Sequence, residues 1–202
     1  MDYSLAFKAF FGITPESIRE EVILTNIRPV FSEIIESALS AERHQKGFYE
    51  TADICMGNNR HYHVIRINPG SGVIDVVKLL VIFVKKLFFI GIAGCLDSSR
   101  SLGEVCVPSE FVSLDSLNEC KEMAIYQTSG LIHTDDFYRN LQKKGVSLVD
   151  MECYDVYRLC KDHLVPLKYI VQISDFPLET PFYSVNPQPI RIGRMIDLLQ
   201  DE

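Results

Sequence analysis

The chain has 202 residues, enough for one domain with a full core, and we expect a single domain over residues 1–202. An apolar content of 47% excludes a disordered chain, and a net charge of −7 leaves no basic footprint for nucleic acid. Cys55, Cys95, Cys106, Cys120, Cys153 and Cys160 form no C-x-x-C pair and sit mostly in apolar runs, which argues for reduced thiols in a cytoplasmic protein and against zinc. No metal site and no cofactor are read from the sequence.

Residues 1–20 are read as an N-terminal arm that carries Leu5, Phe7, Phe10 and Phe11. These pack either on a partner subunit or on the chain's own core. Asp2 and the lack of a cationic start argue against a signal peptide. Thr14 to Ser17 has the form of a helix start, with Thr14 as cap and Pro15 in the first turn. Val22 to Leu24 predicts a first strand, followed by a loop at Thr25 to Pro29. Phe31, Ile34, Ile35 and Leu39 share a helical face. Phe48 to Ile54 and Arg60 to Ile67 predict two strands joined by a turn at Gly57, Asn58 and Asn59. His61 and His63 alternate on the second, which reads as a half-exposed strand face.

Asn68-Pro69-Gly70-Ser71-Gly72 links that strand to a helix expected from about Val73 to Lys86. Glycines between a strand and a helix let backbone N–H groups approach an anion or a sugar hydroxyl. Val73 to Leu96 is the most apolar stretch, but Asp75, Lys78, Lys85 and Lys86 interrupt it and argue against a membrane span. Leu87 to Ile92 predicts a buried strand and Ala124 to Ile132 another. Val146 to Val149 is a short strand, Asp150-Met151-Glu152 its exit, and Tyr154, Val156, Tyr157, Leu159 and Cys160 a helix that ends before Pro166. Tyr169 to Ile173 predicts a strand that ends in Ser174 and Asp175. Strand–helix–strand order predicts parallel strands, and ligands bind outside the carboxyl ends of strands in open sheets. Glu152 and Asp175 are thereby expected on one rim. Residues 176–202 form a short C-terminal region broken by Pro177, Pro181, Pro187 and Pro189, with a last helix over Ile190 to Leu199.

Several pieces together resemble the nucleoside phosphorylase and nucleosidase superfamily. Gly91-Ile92-Ala93-Gly94-Cys95-Leu96 is similar to its G-[ST]-[AC]-G-G-L turn, and Leu102-Gly103-Glu104-Val105 with Pro108 to its L-G-D-V-V-x-P segment. Gly130-Leu131-Ile132 and Thr134-Asp135-Asp136-Phe137-Tyr138 resemble its S-D-x-F-Y loop, Asp150-Met151-Glu152 its V-[ED]-M-E motif, and Ile173-Ser174-Asp175 its I-S-D. The resemblance implies an α/β fold, a three-layer α/β/α sandwich around a twisted mixed sheet. It implies a ligand made of a purine-like base on ribose. It implies that Glu152 holds ribose hydroxyls, that Met151 packs under the sugar, and that Phe137, with Tyr138 nearby, stacks on the base. Asp175, beside Ser174, then faces the base nitrogen that accepts a proton. Gly70 and Gly94 bring backbone close to the ligand. We expect a homodimer or higher homo-oligomer.

The residue types suit cleavage of an N-glycosidic bond. A carboxylic acid near the base protonates the leaving group, and a second carboxylate steadies the sugar as positive charge develops. Phosphorolytic members place an arginine just before the glycine-rich turn and a hydroxyl after its first glycine; here those positions are Phe89 and Ile92. Hydrolytic members carry a glutamate just after the first strand, whereas this chain reads Thr25-Asn26-Ile27-Arg28, with Glu33 and Glu42 as distant substitutes. Two readings follow: an N-ribosyl hydrolase acting on a purine nucleoside or thio-nucleoside, or a nucleoside-binding or structural protein on the same fold with catalysis lost. A phosphate-dependent phosphorylase is disfavoured.

Overall fold

The computed structural model describes residues 2–44, 46–57, 59–70, 72–117, 120, 122–130, 132–184 and 189–200. Asn58, Ser71, Leu131 and Pro187 of the motifs above lie outside these residues.

The strands are β1 (Glu21–Thr25), β2 (Ser40–His44), β3 (Glu50–Cys55), β4 (His61–Arg66), β5 (Lys86–Cys95), β6 (Val105–Cys106), β7 (Glu110–Val112), β8 (Ala124–Gln127), β9 (Val146–Asp150) and β10 (Leu167–Asp175). They form one mixed sheet in the order β2-β3-β4-β1-β5-β9-β8-β7, with β10 paired to β5 and β6. The helices are α1 (Tyr3–Phe11), α2 (Arg28–Glu36), α3 (Gly72–Leu80), α4 (Asp135–Lys143), α5 (Cys153–Asp162) and α6 (Ile192–Gln200).

Alternation along the central strands produces the layers. Successive strand residues point to opposite faces, so a strand buried on both faces feeds two cores. Val22, Leu24, Leu87, Phe89, Tyr169 and Val171 pack with side chains of α1, α3 and α5. Ile23, Phe88, Ile90 and Ile170 pack with α2 and α6. Burying each such side chain contributes about 1.5–3 kcal/mol. The result is the expected α/β/α sandwich.

The N-terminal arm is a helix on the chain's own core. Phe7 and Phe11 are fully buried, and Phe7 meets the Phe83 ring edge-on at 5.0 Å. Its start is fixed by Asp2, whose side chain accepts from the Leu5 N–H. Thr14 to Ser17 makes only a single 3₁₀ turn at Pro15–Ser17, without a side-chain cap bond.

Several element boundaries differ from the sequence reading. The helix expected to Lys86 ends at Leu80. Val81 and Val84 remain buried in the turn that follows, so the apolar pattern outlasts the helix. The strand expected to Ile132 ends at Gln127, where the Thr128 hydroxyl is bonded to the Gly130 and Asp150 carbonyls instead. β2 gave no signal because all but one of its residues are exposed and none alternates with an apolar neighbour.

The expected parallel relation of the strands on either side of α5 is corrected. β9 and β10 both pair with β5, β10 parallel along Leu87 to Gly94 and β9 antiparallel at Gly94 and Cys95 only. Because β9 runs the opposite way, its carboxyl end returns to the part of β5 where β10 finishes. A register shift between Ile173 and Asp175 marks the end of the β10 pairing.

Candidate functional site

Glu152 and Asp175 line one cavity of about 540 Å³, a size suited to a small organic ligand. Ala93 and Gly94 of β5 form its floor beside Ser174. Gly94 is required there: a Cβ would lie 2.9 Å from the Pro177 ring and 3.1 Å from Val149. Ile27, Pro69, Ile92, Pro177, Phe182 and Ile190 supply apolar wall.

At the exit of β9 the three residues Asp150, Met151 and Glu152 divide the work. Asp150 is the one that caps the turn into α5. Its Oδ1 accepts from the backbone N–H groups of Glu152 at 2.9 Å and Cys153 at 2.8 Å. Its Oδ2 accepts from the Tyr169 hydroxyl at 2.5 Å. Tyr169 is held in turn by Phe89, whose ring is stacked on it at 4.5 Å. With capping done by Asp150, the Glu152 carboxylate is left to face the cavity.

Glu152 accepts a hydrogen bond from the Gly70 N–H to Oε1 at 2.6 Å. Gly70 reaches this position with φ +92, a conformation that side-chain-bearing residues rarely adopt. It therefore touches the acid, and is not itself part of the cavity lining. Burial, with the neighbouring Asp150 charge as the lesser cause, pushes the Glu152 carboxyl up to about 7; the Gly70 bond opposes this. Burial likewise raises the Asp150 carboxyl against the pull of its Tyr169, Cys153 and Glu152 hydrogen bonds.

Asp175 ends β10. The Ser174 hydroxyl lies 2.5 Å from Asp175 Oδ1 and 3.1 Å from the Ala93 carbonyl. Burial raises the Asp175 carboxyl above the usual range, against hydrogen bonds from Ser174 and the Phe182 backbone. A carboxyl raised in this way is suited to carry a proton for donation.

Met151, Tyr138, Ser174 and Gly94 line the same cavity. Phe137 does not. Its ring is stacked on His133 at 4.3 Å and packs in a separate apolar cluster with Tyr126 and Tyr138. Thr134 caps α4 by accepting from the Phe137 N–H. Tyr138, one residue on, is the aromatic of this loop that reaches the cavity.

Asn26, Thr128 and Gln172 also line the cavity and were not anticipated. Asn26 lies just past β1, and its Oδ1 is buried without a hydrogen-bond partner among the described residues. Gln172 is bonded to Pro189 and Arg191, which fastens the C-terminal region to β10. Gln172 and Thr128 carry no motif that would have marked them. Neither Glu33, Glu42 nor Arg28 lines the cavity. Phe89 is fully buried in the core, while Ile92 is 43% exposed and faces the cavity.

No protein-family model matches the chain, and no curated protein matches it by sequence. Solved structures do match it. A purine nucleoside phosphorylase from Toxoplasma gondii in complex with immucillin-H superposes with TM-score 0.75 at 14% identity, over 92% of this chain and 89% of that one. A methylthioadenosine/S-adenosylhomocysteine nucleosidase from Colwellia psychrerythraea, in complex with adenine, gives 0.67 at 15% identity, over 83% and 87%. The futalosine hydrolase of Helicobacter pylori gives 0.69 at 18% identity, over 84% and 90%. The chain has the fold of the nucleoside phosphorylase and nucleosidase superfamily. No helix of the described residues is long and apolar enough to cross a membrane.

Proposed function

We propose that the protein hydrolyses the N-glycosidic bond of a purine nucleoside or thio-nucleoside. The observation that carries this reading is the pair of buried carboxyls, Glu152 and Asp175, on one cavity of nucleoside size. In the reaction the bond between the sugar's anomeric carbon and the base nitrogen breaks, and its electron pair leaves with the base. Asp175, oriented by Ser174, is the acid that gives a proton to the base. Glu152, ionised, accepts hydrogen bonds from ribose hydroxyls and offsets the positive charge that grows on the sugar. Water adds to the anomeric carbon, and the proton it loses passes to solvent and restores the Asp175 carboxyl. Asn26, which lines the cavity, is the polar side chain available to orient this water or a sugar hydroxyl; an amide orients but does not take the proton. Met151 and Tyr138 give the sugar and base apolar surface.

Phosphorolysis has less support. A phosphate needs donors aimed at it, and the cavity is lined by no arginine or lysine among the described residues. The neutral Asn26 at the end of β1 favours a second reading, a nucleoside-binding protein without turnover. Incubation with adenosine, inosine and methylthioadenosine, with and without phosphate, separates these. Release of free base without phosphate is expected. Saturable nucleoside binding with no release would overturn hydrolysis in favour of the binding protein, and release that depends on phosphate would overturn it in favour of phosphorolysis.

A further inference from the structure

We propose that His44, Asp53 and His63 form a binding site for a divalent transition-metal ion of the zinc type. The three residues come from the adjacent strands β2, β3 and β4, and none of them lines the cavity of Glu152 and Asp175. His44 Nε2 lies 3.3 Å from Asp53 Oδ2, and His63 Nδ1 lies 3.1 Å from Asp53 Oδ1. One ligand atom from each residue lies within 4.8 Å of the other two. Ligands about 2.1 Å from a tetrahedral ion stand about 3.4 Å from one another, so little movement is needed to admit one. Two imidazoles and a carboxylate are a donor set that zinc accepts, with a fourth position left for water.

His63 is fully buried; the His44 ring is stacked on it at 5.6 Å, so His44, on the edge strand, must turn its ring to share an ion with it. One His63 nitrogen pairs with Asp53, and the other, Nε2, has no partner among the described residues. An ion shared with Asp53 would take Nδ1, the nitrogen that faces it, and Nε2 is no part of the site. Arg19 is the competitor. Its Nε lies 2.9 Å from Asp53 Oδ1, and its side chain is 46% exposed, so it can swing into solvent when an ion takes that oxygen. The ion would tie the exposed edge strand β2 to the buried middle of β4.

Residues 44, 53 and 63 are too far apart to form a short metal motif, which is why the sequence reading found no site. The test is titration of the metal-free full chain with Zn²⁺ by calorimetry, and with Co²⁺ by visible absorption. One equivalent is expected to bind, with the intense visible bands of a tetrahedral cobalt site. His44→Ala, on the exposed edge strand, and Asp53→Asn should each weaken it at least as much as loss of an outer-shell partner, roughly 10–100-fold. Arg19→Ala should tighten it by removing the competing charge. Zn²⁺ should raise the melting temperature of the wild type and of Arg19→Ala, and much less that of His44→Ala. Absence of Zn²⁺ binding up to millimolar concentration overturns the proposal. Stoichiometric binding that His44→Ala and Asp53→Asn leave unchanged also overturns it, because the ion would then sit elsewhere.

Discussion

Replacing Glu152 with glutamine should make the protein more stable at pH 8 and leave it nearly unchanged at pH 4. The carboxyl titrates near its ordinary value of 4.5 in the unfolded chain and at about 7 in the folded one. Between these values the folded state holds the extra proton. Stability therefore falls as pH rises through this window, and the full cost is present above about 7. At about 1.4 kcal/mol per pH unit, a rise from 4.5 to about 7 amounts to about 3 kcal/mol. Glutamine has nearly the same shape and keeps an oxygen to accept the Gly70 N–H, but it carries no charge to desolvate. The gain should correspond to roughly 6–12 °C in melting temperature at pH 8 for a chain of this size. Urea unfolding of both proteins at pH 4, 6 and 8 measures it. A difference that is flat across pH, or that favours the wild type at pH 8, would refute the claim that burial governs this carboxyl. In the same variant, any nucleoside cleavage should fall and nucleoside binding weaken, since the ribose loses an ionised acceptor. A buried acid that costs stability at neutral pH is what a ligand-binding role requires.

Asp175→Asn should reduce base release by roughly 10²–10⁴-fold, the usual worth of a general acid, while nucleoside affinity changes far less; full activity in this variant would exclude the acid role. Nucleoside binding near pH 7 should release protons, because ribose hydroxyls donated to Glu152 favour its ionised form; calorimetry in buffers of different ionisation enthalpy reads the number directly. Asp150→Ala should destabilise by roughly 2–4 kcal/mol in chemical denaturation, since it strands the Tyr169 hydroxyl and two backbone N–H groups that are bonded to it. Gly94→Ala should cost about 1–3 kcal/mol, because its Cβ must push back the Pro177 ring and Val149, and it should also weaken nucleoside binding by shifting Pro177 in the cavity wall.

Much of the site could be read from the chain. Strands followed by acidic residues, at Asp150 to Glu152 and at Ser174 to Asp175, carry the signal that β-strand exits in α/β sheets hold ligands. Their residue types are legible without coordinates, as is the glycine that must precede the helix α3. Aromatic choice in the α4 loop was not legible. Phe137 and Tyr138 are adjacent, and only the structure shows that Tyr138 lines the cavity while Phe137 is stacked on His133. Asn26 sits where the sequence was searched for an acid. An amide with a buried unpaired oxygen is a site feature only once its surroundings are known.

The sequence by itself marked the central strands, because the apolar runs Val22 to Leu24, Leu87 to Ile90 and Tyr169 to Ile173 fit strands buried on both faces, while the layers were implied by the family resemblance. It also determined the chemistry on offer, since carboxyl groups are what they are at any position. The tertiary structure decided the rest. It set the direction of β9 relative to β10, which depends on a two-residue contact with β5 that no local pattern announces. It assigned capping to Asp150 and left Glu152 for the cavity, through hydrogen bonds reaching from Tyr169 and from Gly70. It brought His44, Asp53 and His63 together from three strands, one of which has no apolar alternation at all. Pairings between distant segments depend on packing and on desolvation, and both exist only after the chain has closed on itself.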